Sequence, residues 1–218
     1  MTPDPRYPWL HWARKLQAAA QNGLTYSKDP YDIERYQAIW EVAAEMMARG
    51  SGVELIRVRD LLTGDVGHVT PKVDVRGAVF REGAMLLVRE KSDGLWTLPG
   101  GWADVEESPS EAVVREVYEE SGYRTRAVKL LAVYDRDRHG HTPMPFCCYK
   151  MFFHCALVDD DTLGEAQAQR GGSFAEVDDV GFFHEDELPR LSISRVTPAQ
   201  LRRLFAHQRH PDWPTDFD

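Results

Sequence analysis

The chain has 218 residues, 43% hydrophobic and 28% charged, enough for one moderate domain with an appendage or for two small domains with proper cores. A formal net charge of −9 with scattered basic residues argues against a sequence-independent grip on DNA or RNA, where lysine and arginine neutralise phosphates. Three cysteines suggest no disulfide framework, no apolar run reaches the roughly 18–20 residues of a membrane span, and MTPDPRY lacks a secretory pattern, so a cytoplasmic location is expected.

The first elements read as helices. Residues 8–22 start at Pro8 and end at Gly23, with Leu10, Trp12, Leu16 and Ala19 at roughly helical intervals. A second helix is capped by Asp29, has Pro30 at its first position, and runs through Ile33, Tyr36, Ile39, Trp40, Ala43 and Met46–Met47 to Gly50. A third spans about 52–63, and residues 65–71 (DVGHVTP) read as a linker. Residues 1–66 are therefore expected to form a small all-helical N-terminal domain. Its aromatic stripe exceeds what a lone helical pair can hide, which predicts core packing and a homodimer contact rather than catalysis.

From Lys72 the pattern changes to strands. KVDVRGAVF alternates, Glu82-Gly83 reads as a turn, and AMLLVRE returns as the hairpin mate. LWTLPGG then leads into a polar loop and a strong helix start. Ser108 is a good N-cap, Pro109 suits the first position, Glu111 completes a capping box, and Gly122 is a natural stop, so a helix is expected over 109–121. Strands follow at Ala127–Arg136 and Pro145–Val158, joined by DRHGHTPM. A charged excursion, in which Asp159–Asp161 read as a solvated turn, precedes the strand EVDDVGFF. HEDELPRLS is expected to make a helical turn, Thr197-Pro198 to open a last helix to about His207, and 209–218 to be a flexible tail. Strands interleaved with helices imply an α/β layered domain with a mixed sheet over 67–208.

The anomaly lies on the 109–121 helix. Glu116, Glu119 and Glu120 stand at i, i+3 and i+4, which puts three carboxylates on one face, while Val113 and Val117 point elsewhere. Arg115 offsets part of the repulsion. A hard divalent cation would remove it, since Mg²⁺ and Mn²⁺ prefer oxygen ligands and bridge to substrate phosphates. The ordinary alternative is a solvated acidic face. Gly100 and Gly101, just before the loop, weigh against that alternative because they let backbone approach a ligand closely.

Gly101, Glu107, Arg115-Glu116, Glu119-Glu120 and Gly122 follow the spacing G-x5-E-x7-R-E-U-x-E-E-x-G-U, with Val117 and Tyr123 at the apolar U positions. This stretch closely resembles the signature of the Nudix hydrolases, the aromatic Tyr123 being a mild departure. LTYSKDPYDIERY resembles, less specifically, the N-terminal segment of a Nudix subgroup acting on X-linked nucleoside diphosphates, and the resemblance extends over about residues 8–190. It implies the Nudix fold, a mixed β-sheet sandwiched between helices, preceded by a helical N-terminal domain. It also implies hydrolysis of a pyrophosphate linkage to a nucleoside monophosphate and phosphorylated X, where ADP-ribose, CDP-alcohols and UDP-sugars all fit.

Within that picture Glu116 and Glu120 are the first choices as ligands for Mg²⁺ or Mn²⁺, with Glu119 a third, and the resemblance adds the carbonyl of Gly100. Arg115 is expected to orient the glutamates, together with Glu107. Nudix enzymes differ in the carboxylate that activates water. Here EVDDVGFF stands where relatives carry a similar E-x-x-x-VGFF segment, which favours Glu176 over Glu119, with Glu165 third. Arg76 and Arg81 flank the first strand, and His139 and His141 lie in a loop able to reach a phosphate or a sugar. Cys147, Cys148, His154 and Cys155 look like metal ligands, but alternation sends 147 and 155 to one face and 148 and 154 to the other, unlike a zinc set. Two other readings compete with the hydrolase. A non-catalytic Nudix-fold nucleotide-sugar sensor would be expected to lose a signature acid, and none is missing. A hydrolase of RNA ends or damaged nucleoside triphosphates is disfavoured for long RNA by the acidic charge.

Overall fold

The computed structural model describes residues 7–64, 66–158 and 176–218. Asp159–Asp161 and Glu165 lie outside the described residues. The chain divides into two compact units, one ending at Pro71 and taking in Met144–Phe146, the other comprising Lys72–Pro143 and Cys147–Asp218. Among the described residues no helix is long and apolar enough to cross a membrane.

The first unit contains α1 (Pro8–Tyr26), α2 (Pro30–Ser51) and α3 (Leu55–Thr63) around Leu10, Ala13, Ala44, Met47, Val58 and Leu62. Asp29 caps α2 by accepting from the N–H groups of Tyr31 and Asp32. Two expected boundaries shift. α1 passes through Gly23 and α2 through Gly50, because a Cβ at those positions would fall 2.4 Å from the Tyr36 ring and 2.5 Å from the Trp9 ring. These glycines bring helices together; the left-handed stop of α2 is Gly52, at φ 73°. The expected linker also belongs to this unit. Gln21 Nε2 donates to Gly67 O at 3.1 Å and Val69 N to Asn22 Oδ1 at 2.8 Å, so the division falls after Pro71 rather than after residue 66.

Among its described residues the second unit carries two four-stranded sheets. In one, β1 (Lys72–Ala78) pairs in parallel with β6 (Cys148–Leu157), β6 is antiparallel to β5 (Thr125–Asp135), and β5 is parallel to β8 (Asp216–Phe217). In the other, β3 (Ala84–Glu90) sits antiparallel to β2 (Phe80–Arg81), β4 (Trp96–Thr97) and β7 (Val177–Phe183). The run KVDVRGAVF is thus not one strand. It breaks at Val79 and serves both sheets, while Glu82 and Gly83 take the left-handed conformation of a tight turn.

Two cores follow from strand alternation. One side of β1 and β6 packs Val75, Phe153 and Cys155 on Ala112, Val113 and Val117 of α4 (Pro109–Ser121). The other side packs Ala78, Phe152 and Ala132 on Leu201, Leu204 and Phe205 of α5 (Pro198–Arg209). HEDELPRLS makes a single turn, closed by Glu187 N donating to His184 O at 3.1 Å, and Leu191 then bridges Trp96. The tail expected to be flexible is bound: Arg203 pairs with Asp216, Lys129 Nζ donates to Pro211 O and Trp213 O, and Asp216–Phe217 extends the sheet.

Candidate active site

Helix α4 is bounded by local chemistry. The Ser108 side chain accepts from Glu111 N while Glu111 Oε2 accepts from Ser108 N, and Gly122 closes the C-terminus at φ 76°. Burying Val113 and Val117 fixes the helix rotation, so the acidic face turns toward the loop of Gly100 and Gly101.

That loop is wedged between strand and acids. A Cβ on Gly100 would lie 2.0 Å from Val75 O and 2.9 Å from Arg76 Cα, and its φ of 143° is itself hostile to a side chain. Its N–H donates to Glu120 Oε2 at 2.8 Å. A Cβ on Gly101 would lie 2.9 Å from Glu116 Oε1. The two glycines therefore set β1 directly against the carboxylates.

The three glutamates meet different surroundings. Arg115 Nε and Nη2 bind Glu107 at 2.9 Å, while its Nη1 reaches both Glu116 and Glu119 at 3.0 Å. The Glu119 side chain is 57% exposed and that of Glu116 only 14%. Burial pushes the Glu116 carboxyl up and that of Glu120 up to about 8, with the neighbouring acids adding to the push. The Arg115 bonds draw Glu107 down. Among the described residues no three His, Cys, Asp or Glu side chains meet as a ready-made metal cage. What the site offers is two inward carboxylates with incomplete charge compensation beside a backbone loop open to close approach. Hard-cation coordination by oxygen donors fits that set.

Behind the acids lie charges that periodicity did not flag. Arg76 grips Asp74 through Nε at 2.8 Å and Nη2 at 2.9 Å and donates to Leu98 O at 3.1 Å. Lys150 Nζ donates to the same Asp74 at 2.7 Å. Although burial opposes it, these two cations hold Asp74 down to about 2, and burial pulls Lys150 down to about 8. Glu90, 3% exposed, pairs with Arg195 at 2.9 Å; burial raises its carboxyl, and the charges of both Glu176 and Glu120 act on or through it. The available signal was a lone charge inside an otherwise apolar strand, as in CCYKMFF.

The other sequence candidates are dispersed. Arg81 lies over the rings of Tyr123 and Phe182, at 5.0 and 4.5 Å, on β2 in the other sheet from Arg76. His139 stacks on Tyr134 at 4.0 Å and bonds Asp218 at 2.8 Å. His141 is buried, with Nδ1 2.8 Å from Ile193 O. Glu176 is exposed at the start of β7, where its carbonyl accepts from Lys91 N at 2.9 Å. Cys148 and Cys155 are buried on opposite faces of β6, and Cys147 is exposed.

Residues 70–205 match the family model described as NUDIX domain, and residues 7–62 match the one described as UDP-X-like, N-terminal oligomerisation domain. The chain is 48% identical over 210 residues to YjhB of Bacillus subtilis (strain 168), a candidate ADP-ribose pyrophosphatase, covering 96% of this chain and 97% of that protein. It is similar to a crystal structure of UDP-X diphosphatase, with a TM-score of 0.58 and 28% identity, over 97% of this chain and 98% of that one. It also resembles an ADP-ribose pyrophosphatase from Streptococcus suis 89-1591, with a TM-score of 0.56 and 35% identity, over 68% of this chain and all 100% of that one.

Proposed function

This chain belongs to the Nudix hydrolases, and from that premise we propose that it splits the pyrophosphate of a nucleoside diphosphate linked to X, of the ADP-ribose or UDP-X type, with the help of Mg²⁺ or Mn²⁺. The observation that carries the reading is the pair of inward carboxylates, Glu116 and Glu120, held against the Gly100–Gly101 loop. Full-length similarity to an ADP-ribose pyrophosphatase candidate and a UDP-X diphosphatase supports the substrate class.

Glu116, Glu120 and the Gly100 carbonyl would hold the cation, with Glu119 at its edge. When bound, such an ion supplies charge neutralisation of the pyrophosphate and polarisation of its phosphoryl oxygens. Arg115 keeps Glu116 and Glu119 in place from the helix side and is itself anchored by Glu107. Water forms a new bond to one phosphorus as the bridging P–O bond breaks, and the departing phosphate keeps the bridging oxygen. Glu176 takes the proton of the attacking water. Its support is position: it stands beside Lys91, next to Glu90, whose charge reaches Glu120.

The test is a panel of ADP-ribose, CDP-alcohols and UDP-sugars with coupled phosphate detection. One or more should be split, chelator should silence the reaction, and Mg²⁺ or Mn²⁺ should restore it. Glu116→Gln and Glu120→Gln should each lose on the order of 10²-fold or more in kcat with the thermal melt retained. Full turnover after exhaustive metal removal would reject the metal, and inertness toward the whole panel would reject the reaction.

A further inference from the structure

One face of the first sheet changes character along its length. Cys148, Lys150 and Phe152 alternate onto the same side of β6, and register places Lys150 between Asp74 of β1 and Tyr134 of β5. Phe152 belongs to the core against α5. Two residues earlier, the same face carries a lysine that is 1% exposed. An ammonium has three N–H donors, and among the described residues Lys150 uses one, toward Asp74 at 2.7 Å.

The loop after β5 brings a second unsatisfied group into the same region. His141 is 5% exposed, and its Nδ1 lies 2.8 Å from Ile193 O. A carbonyl only accepts, so Nδ1 carries the proton and Nε2 is left with a lone pair. That nitrogen is buried and has no hydrogen-bond partner among the described residues. Tyr134, directly opposite Lys150 in the register, stacks on His139 at 4.0 Å, two residues before His141, which brings this loop to the same end of the sheet. Buried polar atoms are almost always paired, so both the acceptor and the spare donors call for a further group. A hydroxyl satisfies them together, because it donates to one atom while accepting from another. The location also suits substrate: Asp74 ties Lys150 to Arg76, whose Cα is packed against Gly100 of the acidic site.

We propose that His141 and Lys150 form a subsite for a sugar hydroxyl of the substrate, His141 Nε2 accepting a hydrogen bond from it and Lys150 Nζ donating one to its oxygen. This assignment rests on the pyrophosphohydrolase reading and narrows it, favouring substrates that present a hydroxylated ring over those with a plain alcohol at that position. Sites built to bind a substrate hydroxyl discriminate strongly against the analogue that lacks it, since the protein atoms are then left unpaired.

The experiment measures kcat/KM for ADP-ribose and for its singly deoxygenated analogues, and in parallel for UDP-glucose and its deoxyglucose analogues. For one hydroxyl of a substrate that is split, the wild type should lose tenfold or more when that hydroxyl is removed. His141→Leu and Lys150→Met should each cut this preference to about twofold, losing more on the parent than on the analogue. A merely structural role would lower both substrates alike and leave the ratio intact. An unchanged ratio in the variants assigns the two groups to an internal water and overturns the proposal. So does a wild type indifferent to every hydroxyl, a result that needs no variant to fold. Lys150→Met leaves Asp74 bound to Arg76 and decides the matter if His141→Leu is unstable. Inertness toward both parent substrates would instead sink the underlying reaction, and is told apart by the absence of any turnover.

Discussion

At the scale of single residues, the proposed chemistry rests on carboxylates that share a helix face but differ in depth. Glu119 is largely exposed and tethered to Arg115, Glu120 is turned inward to the Gly100 N–H, and Glu176 stands on another element. A carboxylate that binds a cation is a weak base because the cation stabilises its ionised form. Glu176 is free of that constraint, so Glu176→Gln should lower kcat by roughly 10²–10⁴-fold with metal affinity unchanged. A loss under about tenfold there, with Glu119→Gln inactive, would move the base onto α4. His141 gives a separate signature in stability. Burial holds its imidazole down to about 4, against an ordinary value of 6.5. Between those values the unfolded chain binds a proton that the folded chain refuses, so stability falls as pH falls through the window. The contribution is complete above about pH 6.5, flattens below about 4, and amounts to about 3 kcal/mol at most. Urea melts should therefore show wild type losing stability relative to His141→Leu between neutral pH and pH 4; parallel curves would exclude this histidine as the source.

At the scale of elements, the glycine loop before α4 decides whether the acids can be used. A methyl on Gly100 would strike backbone on β1 and require a left-handed φ, and neither can relax. Gly100→Ala should lose about 1–3 kcal/mol of stability together with most activity. A methyl on Gly101 would meet the tip of the Glu116 side chain, which can rotate away. Gly101→Ala should thus keep a melt near that of wild type while losing turnover. Equal stability losses in the two variants, read by calorimetry, would contradict this division of roles. The same contrast explains what was legible beforehand. The capping box and stop of α4 are local, so its limits Pro109–Ser121 could be read directly, and the acidic face followed from 3.6-residue spacing. Gly23 and Gly50 read as stops because their real constraint, the rings of Tyr36 and Trp9, comes from another helix. The contact of Asp74 with Lys150 could not be read beforehand, since it spans 76 positions and leaves no periodic trace. The tail read as loose for the same reason: Asp216 is held by Arg203 and by pairing with β5, and its short polar sequence carries no sign of either.

At the scale of the whole molecule, the helical unit leaves large apolar side chains exposed on each of α1, α2 and α3. Trp12 and Leu16 lie one turn apart on α1, Ile39 and Val42 neighbour each other on α2, and Ile56 and Leu61 extend from α3, all at least 36% exposed. Scattered exposed apolar residues need no explanation, but pairs at helical spacing on α1 and α2, with two more exposed side chains on α3, make a surface that water disfavours. A second copy of the chain would cover such a surface economically, because a two-fold axis lets one patch serve both subunits. Each substitution in a two-fold interface then counts twice. Val42→Glu puts two carboxylates into the contact, and without a partner for either charge the association should weaken by far more than a surface change would. Light scattering should find the wild-type chain dimeric at micromolar concentration and Val42→Glu shifted toward monomer. The variant's thermal melt should depend less on concentration than that of wild type, since association stabilises by mass action. A wild type that is monomeric at micromolar concentration would remove the dimer, and a Val42→Glu chain as dimeric as wild type would move the contact off the outer face of α2.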